Sequence, residues 1–268
     1  MLNKLRSLFS TGADDADVAA MPTARLPEGQ RVYAVGDIHG RLDLFEQLLQ
    51  RIEEDDARRG TADTTLILLG DLVDRGPESR GVVDRAIALL QTGKVRVLAG
   101  NHEEMLLTSM ESDEALRHFL RHGGKETLFS YGLDPAEYSR STLPELRERM
   151  NALVPAEHIA FFRAMEDRIV VGDYLFVHAG IRPEVPVEQQ TTSDLRWIRR
   201  EFLDHVQWHG HMIVHGHTIT DEPEAMPNRI GIDTGAYASG RLTALGVEAD
   251  EYWFVSAVII PDPTAAGE

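Results

Sequence analysis

Five short apolar runs in this chain each end at or near a glycine and are followed by Asp, Asn or His, and this recurring pattern constrains the fold more than any other feature. In the clearest example, residues 66–69 precede residues 70–76, where two carboxylates and an arginine fall within five residues. Such a run suits a buried strand and is too short for a helix. Loops at the carboxyl ends of strands are where open α/β sheets bind their ligands. The other four loops are residues 36–40, 99–103, 177–180 and 214–218.

The order of the apolar patterns predicts an α/β fold. Strands are expected at residues 32–35, 65–69 and 95–99, with amphipathic helices between them, so these strands should be parallel neighbours with right-handed crossovers. Helical spacing then dominates about residues 103–168, which predicts a helical insertion over the edge of the sheet that carries the site. Later strands are expected at residues 174–177, 212–214, 229–232, 242–247 and 252–260.

The chain is expected to form one domain over residues 31–268, a sandwich of two mixed β-sheets flanked by helices. Residues 1–30 lack an apolar period and are rich in Ala, Asp, Gly and Pro over their second half, so a flexible N-terminal arm is predicted there. Deleting residues 1–28 is accordingly expected to change folding and activity little.

Composition excludes several classes of function. A net charge of −17 argues against a protein that holds nucleic acid over a broad surface, because such binding needs basic patches. The absence of cysteine excludes disulfides, thiolate ligands and cysteine nucleophiles. No apolar run is long enough to cross a bilayer, and residues 1–9 make a poor signal peptide. The expected location is the cytoplasm, without stable membrane association.

The five loops together offer carboxylate, imidazole and amide groups, which suit divalent Mn, Fe or Zn. They are numerous enough for two ions, a common device for hydrolysing phosphate esters by activating a water for in-line attack. The alternative is that the acidic residues cap helices, but capping does not require histidines in the later loops. The candidate side chains are Asp37, His39, Asp71, Asp74, Asn101, His102, His178 and His217, with Arg75 nearby.

The motifs Gly-Asp-x-His-Gly at 36–40, Gly-Asp-x-Val-Asp-Arg-Gly at 70–76 and Gly-Asn-His-Glu at 100–103 resemble the signature of calcineurin-like metallophosphoesterases. More narrowly, they resemble the phosphoprotein phosphatase family of serine/threonine phosphatases and its small bacterial and phage members. His-Ala-Gly at 178–180 and Gly-His-Thr at 216–218 match the rest of that pattern in order. The resemblance spans about residues 31–247.

The resemblance implies a role for each matching residue. Asp71 would bridge two divalent ions, with Mn²⁺ the expected ion and Fe or Zn the alternatives. Arg75 would bind phosphate, and His102, oriented by Asp74, would be the general acid. The remaining ligands would be Asp37 and His39 for the first ion, and Asn101, His178 and His217 for the second.

Some assignments have rivals. The family has a further phosphate-binding arginine in a Trp-Asn-Arg context, which matches Trp197-Ile198-Arg199 except for the asparagine, so Arg199 is the second candidate phosphate ligand. His102 could instead be a metal ligand, and Arg75 could only pair with Asp74. Other branches have a histidine at the position of Ile219. The histidines at positions 118, 122, 158, 205, 209, 211 and 215 are interpreted as structural, surface or supporting residues.

The resemblance predicts hydrolysis of phosphoserine and phosphothreonine in a protein or peptide substrate. A related branch that cleaves dinucleoside tetraphosphates carries glutamine where this chain has His39. Because of this difference, a phosphomonoesterase is predicted ahead of a dinucleotide hydrolase. The first alternative is a hydrolase of nucleotides or diadenosine polyphosphates on the same metal site. The second is a catalytically silent scaffold that binds phosphorylated proteins. Against this alternative, every ligand position of the motif keeps a residue that can bind a metal ion.

Overall fold

The structure, a computed structural model, describes residues 23–259 as two mixed five-stranded sheets flanked by helices. This is the predicted fold class. The strands are β1 (Gln30–Val35), β2 (Asp63–Leu68), β3 (Val95–Val97), β4 (Arg168–Val171), β5 (Tyr174–Val177), β6 (Met212–His215), β7 (Glu224–Ala225), β8 (Arg229–Gly231), β9 (Arg241–Glu248) and β10 (Glu251–Val258). The helices are α1 (Leu42–Arg59), α2 (Ser79–Leu90), α3 (Asn101–Ser109), α4 (Asp113–Phe119), α5 (Lys125–Ser130), α6 (Pro135–Arg140), α7 (Leu143–Leu153), α8 (Ala156–Ala164), α9 (Thr192–Trp197), α10 (Arg200–Leu203) and α11 (Ala236–Ser239).

The first sheet has the order β10-β9-β1-β2-β3, and β1, β2 and β3 are parallel, as predicted. Helix α1 connects β1 to β2 and buries Leu44, Phe45, Leu48 and Ile52. This spacing places the four side chains on one face of the helix, where they pack in a cluster with side chains of the sheet. The parallel arrangement brings the carboxyl ends of the three strands to one edge.

The second sheet has the order β4-β5-β6-β8-β7, with β5, β6 and β8 parallel and the two edge strands antiparallel. The apolar patterns do not predict β4 or the two-residue β7. Alternation along the strands assigns the two faces of each sheet. Val32 and Ala34 of β1 join Phe176 and Val214 in the core between the sheets, whereas Tyr33 faces the helices on the outer side.

The five site loops come from both sheets. The loops after β1, β2 and β3 leave the first sheet, and those after β5 and β6 leave the second. Their convergence is direct, since Nδ1 of His178 lies 2.9 Å from the Leu69 carbonyl oxygen, just beyond β2. The site therefore lies where the carboxyl edges of two stacked sheets meet.

The predicted arm overlaps the packed domain. Ala24 and Leu26 are buried in the cluster between the sheets, and the Leu26 amide donates to the Ala249 carbonyl oxygen at 2.8 Å. The N-terminal boundary expected at residue 31 is therefore too late, because the pattern of residues 23–29 is too short to show a period. The rest of the predicted arm, residues 1–22, lies outside the described residues. Among residues 23–259, no helix combines the length and apolar character needed to span a bilayer.

Candidate metal centre

Short loops place the candidate ligands at the shared edge of the two sheets. The β1 loop supplies Asp37 and His39, and Asp71 follows β2. Asn101 and His102 form the first turn of α3, immediately after β3. His178 and His217 follow β5 and β6. All of these side chains are buried: Asp37, His39, Asp71, Asn101, His102, His178 and His217.

His39, Asp71 and His102 form a first group, whose ligand atoms all lie within 4.8 Å of one another. Oδ2 of Asp71 is 3.5 Å from Nε2 of His39 and 3.8 Å from Nε2 of His102. Asp37, predicted as a ligand beside His39, lies outside this group, and its carboxylate accepts hydrogen bonds from the His217 amide at 3.1 and 3.2 Å. His102 is the third member of the group, a position that matches its alternative role as a metal ligand.

Asp71, His178 and His217 form a second group with the same spacing. Nε2 of His178 is 3.4 Å from Oδ1 of Asp71 and 2.9 Å from Oδ1 of Asn101, which adds the predicted amide oxygen. Asp71 is the member that both groups share. Its two oxygens face different groups, which is the arrangement that a bridging carboxylate needs.

Hydrogen bonds at the outer nitrogens orient the imidazoles. Nδ1 of His39 donates to the Val73 carbonyl oxygen at 2.8 Å, and Nδ1 of His178 donates to that of Leu69 at 2.9 Å. In both rings the lone pair of Nε2 therefore points into the site, as metal-ligating histidines require.

The second group lacks a positive partner for its acceptors. The Nε2 lone pair of His178 faces oxygens of Asp71 and Asn101, all of which are acceptors. Nε2 of His217 is buried and has no hydrogen-bond partner within residues 23–259. Converging buried acceptors are unfavourable without a cation, so these residues fit a divalent ion.

Burial controls the ionisation of these side chains. It raises the pKa values of Asp37 and Asp71, and nearby Asp233 and Glu103 raise them further. Burial lowers the pKa of His178 to about 3 and that of His217 to about 2. The imidazoles are therefore neutral near pH 7 and can ligate an ion without first losing a proton.

The backbone is strained where it presents these groups. Seven non-glycine residues between 23 and 259 have positive φ, and five of them belong to the site. Such conformations cost of the order of 1–3 kcal/mol each and persist only when the surrounding structure enforces them. The concentration of strain marks a functional centre. The five residues are His39, Asp71, Asp74, Arg75 and His217.

Two glycines of the motifs are required because a carboxylate oxygen lies where the Cβ atom of another residue would be. A Cβ on Gly100 would lie 2.1 Å from Oδ1 of Asp71, and one on Gly216 would lie 2.1 Å from Oδ1 of Asp37. Both carboxylates thus occupy the space that any other residue would fill.

Glu103 is a buried carboxylate to which sequence reasoning assigned no role. It accepts hydrogen bonds from the backbone amides of Asp71 at 2.9 Å, Leu72 at 2.8 Å and Gly100 at 2.9 Å. It therefore holds the loop after β2 against the start of α3. The sequence feature that could have identified Glu103 is its position as the fourth residue of the motif Gly-Asn-His-Glu.

His102 and Asp74 form the predicted pair. Nδ1 of His102 donates to Oδ2 of Asp74 at 2.6 Å, and Oγ1 of Thr127 donates to Oδ1 of the same carboxylate at 2.6 Å. Thr127, which sequence reasoning missed, lies on α5 of the helical insertion. The insertion therefore supports the acid candidate from the side opposite the ligands.

Arg75 contacts the first group directly. Its Nη1 donates to Nε2 of His39 and its Nη2 donates to Nε2 of His102, both at 2.9 Å. The insertion fixes its backbone, because the Arg75 amide donates to the Gly123 carbonyl oxygen at 3.1 Å. Arg75 forms no ion pair with Asp74, whose carboxylate pairs with His102 instead. The structure therefore does not support the alternative in which Arg75 only pairs with Asp74.

Arg199 has a different environment. It is exposed, and within residues 23–259 its side chain makes no hydrogen bond or ion pair. The pKa of His217 is lowered mainly by burial, then by His178, and to a smaller extent by the positive charge of Arg199. Arg199 therefore acts electrostatically on the second group. An unpaired guanidinium near the metal-ligating histidines suits its predicted role as a second phosphate ligand.

The remaining histidines lie mostly away from the ligand atoms. His158 is buried between Tyr131 and Asp84, and His118 is exposed. His215 is buried beside the second group, with Nδ1 3.0 Å from the Gly216 carbonyl oxygen and Nε2 unpartnered among the described residues. It is a supporting histidine next to the second group.

The β-sandwich carries buried Asp and His groups at its shared edge that fit a divalent metal site. A sequence profile described as calcineurin-like phosphoesterase matches residues 30–239. The chain belongs to the calcineurin-like phosphoesterase family, a family of hydrolases that use two metal ions.

Named relatives divide between two activities. The chain is 29% identical to bis(5'-nucleosyl)-tetraphosphatase PrpE [asymmetrical] of Anoxybacillus flavithermus, over 79% of this chain and 88% of the relative. It is 25% identical to serine/threonine-protein phosphatase 1 of Salmonella typhimurium, over 82% and 93%. A solved structure described as a putative diadenosine tetraphosphatase superimposes with a TM-score of 0.58 at 23% identity, covering 87% of this chain and 98% of that one, and supports the fold.

These relatives confirm the broad class predicted from the motifs but not the narrower one. The ranking of a serine/threonine phosphatase above a dinucleotide hydrolase rested on His39 alone. The named relatives favour the alternative, hydrolysis of diadenosine polyphosphates. A single ligand position was too little to separate substrates that use the same metal centre.

Proposed function

We propose that this chain is a metal-dependent hydrolase that cleaves a phosphoanhydride bond in dinucleoside polyphosphates. The observation that carries the proposal is the match to bis(5'-nucleosyl)-tetraphosphatases along nearly the whole domain, illustrated by the relatives from Anoxybacillus flavithermus and Bacillus velezensis. The latter is 27% identical over 78% of this chain and 86% of its own length.

The site supplies the groups that this reaction needs. Asp37, His39 and Asp71 would hold one divalent ion, and Mn²⁺ is the expected choice. The second ion would be held by Asp71 together with Asn101, His178 and His217. When bound, such ions polarise phosphoryl oxygens and lower the pKa of an attacking water. The positive charge of the ions would also offset the net charge of −17 that otherwise repels a polyphosphate.

The two arginines would bind the phosphoryl oxygens. Arg75 lies at the first group and Arg199 at the second, and a guanidinium matches the geometry of two phosphate oxygens. Arg75 has to release Nε2 of His39 and of His102 to do so. Its departure leaves Nε2 of His102 free to carry a proton toward the leaving oxygen, while Asp74 holds the ring in place.

Dephosphorylation of proteins is the second candidate, and the His102–Asp74 pair favours it. A nucleotide phosphate leaves as a stable anion, whereas a serine alkoxide is a poor leaving group that needs a proton in the transition state. A buried imidazole with a carboxylate 2.6 Å from Nδ1 is the device that such a leaving group requires. The relative from Salmonella typhimurium carries the corresponding name.

The test compares kcat/KM for diadenosine tetraphosphate with kcat/KM for phosphoserine and phosphothreonine peptides, with Mn²⁺ supplied. We expect the dinucleotide to be the better substrate and to give two unequal nucleotides, identified by ion-exchange chromatography. A preference for the peptides would reverse the order of the two candidates. Activity that survives chelation, in protein shown by elemental analysis to be metal-free, would contradict both.

A further inference from the structure

Tyr237 lies at the mouth of the metal centre with an exposed ring. It belongs to the short helix α11, two residues after Gly235, and is 37% exposed. The Arg75 guanidinium carbon lies 4.8 Å from the ring centre, and the edge of the His39 ring packs against it with centroids 5.5 Å apart. The ring therefore adjoins the candidate phosphate ligand on one side and solvent on the other.

The backbone that carries Tyr237 is held firmly. Gly235 adopts a left-handed conformation with φ +66°, and its amide donates to Oδ1 of Asp233 at 2.9 Å. Nη1 of Arg41 donates to the carbonyl oxygen of Ala236 at 2.9 Å. These hydrogen bonds fix the backbone that carries the ring, and a fixed backbone lowers the entropic cost of binding.

Ile219 is a second exposed apolar side chain close to Gly235. It is 46% exposed, and its Cγ2 lies 3.0 Å from the position of a Cβ on Gly235. Ile219 and Tyr237 therefore flank the same glycine.

We infer that Ile219 and Tyr237 form the binding surface for the base of the nucleoside whose phosphate contacts Arg75. This inference rests on the proposed function and names how its substrate is recognised. A nucleobase is flat and aromatic and stacks on tyrosine irrespective of its hydrogen-bonding edge. Phosphate on Arg75 and base on Tyr237 would belong to one nucleotide, with the ribose spanning the gap.

The experiment uses the full chain with Mn²⁺ and two phosphoanhydrides, diadenosine tetraphosphate and inorganic tripolyphosphate, of which only the first has a base. Tyr237→Leu should lower kcat/KM for the dinucleotide by about 5- to 100-fold, the usual contribution of stacking one base, and leave tripolyphosphate hydrolysis unchanged. Tyr237→Phe should retain the activity, because the hydroxyl has no hydrogen-bond partner within residues 23–259. Tyr252→Leu is the matched control, since Tyr252 is an exposed aromatic on β10, where it pairs with Val247.

A second readout separates this inference from the proposed function. Competitive inhibition by AMP and by inorganic phosphate is measured with p-nitrophenyl phosphate as substrate, so that no dinucleotide hydrolysis is required. Tyr237→Leu should raise the inhibition constant of AMP and not that of phosphate. A protein that fails to cleave the dinucleotide but shows this shift would refute the proposed function and keep the base-binding surface.

Other outcomes overturn the inference. Equal losses on both phosphoanhydrides, or equal shifts for AMP and phosphate, would mean that Tyr237 acts by positioning Arg75. A loss confined to phosphopeptides would assign the surface to a peptide. Unchanged kinetics in Tyr237→Leu would show that the ring does not contact the substrate.

Discussion

The two groups of candidate ligands share Asp71 but differ in what already contacts their nitrogens. In the first group, Arg75 donates to Nε2 of both histidines. In the second group, within residues 23–259, Nε2 of His217 has no partner and Nε2 of His178 faces only oxygens. A protein cation contacts the first half of the centre, whereas no arginine or lysine of residues 23–259 donates to the histidines of the second half.

This difference indicates an order of metal binding. An ion can enter the second group without displacing a protein cation, whereas an ion at the first group must compete with the Arg75 guanidinium. We therefore expect the second group to bind its ion more tightly. The same competition couples the first ion to the substrate, because phosphate draws Arg75 away from His39.

Replacing the shared ligand should have the largest effect. Asp71→Asn weakens both groups at once, and since one preorganised electrostatic contact is worth about 10²–10³ in rate, the loss of two should lower kcat/KM by about 10⁴ or more. Metal content by elemental analysis should fall for both ions. Asp63→Asn, at the exposed start of β2, is the control and should change neither quantity. Retention of one ion at full affinity would show that Asp71 does not bridge.

His102→Asn tests whether the first group contains a ligand or an acid. As an acid, His102 should be worth about 10²–10⁴ in rate on a phosphoserine peptide and much less on p-nitrophenyl phosphate or a dinucleotide, whose leaving groups need little protonation. Both ions should stay bound. His118→Asn, an exposed histidine of α4, is the control. If all substrates suffer alike and half the metal is lost, His102 is a ligand, and His215 becomes the next residue to test as the acid.

Arg75→Ala sharpens the comparison by removing the protein cation from the first group. We expect kcat/KM to fall by about 10²-fold because a phosphate contact is lost. The affinity for the weaker ion, measured by calorimetry without substrate, should rise because Nε2 of His39 is released. Arg199→Ala should also lower kcat/KM but leave both metal affinities unchanged. Weaker metal binding in Arg75→Ala would contradict the competition.

Thr127→Val should give the smallest effect, confined to the half of the site that contains His102. The substitution removes the hydrogen bond to Oδ1 of Asp74, and a bond to a charged group contributes about 1.5–3 kcal/mol. The rate on phosphoserine should fall by about tenfold or more, with metal affinity at the second group unaltered. Thr108→Val, which removes only a bond to the Glu104 carbonyl oxygen within α3, is the control. An equal effect in both variants would indicate a general loss of stability.

Local patterns in the sequence determined most of the fold and the identity of the candidate ligands. Apolar runs that end at Gly36, Gly70 and Gly100 predicted three parallel strands, because side-chain alternation and turn residues act over a few positions. The motifs also selected Asp71, His178 and His217, since the chemistry of metal ligation restricts the residue types at those loops.

Long-range packing decided what those patterns could not. The sequence does not reveal that β5 and β6 belong to a second sheet, because strand pairing depends on contacts between distant residues. It likewise could not show that Ala24 and Leu26 fill the core between the sheets, since so short a segment has no period. The contacts of Thr127 with Asp74 and of Tyr237 with Arg75 join segments more than 50 and 160 residues apart, respectively. Only the tertiary fold brings such side chains within a few ångströms, and it is these contacts that distinguish the two halves of the centre.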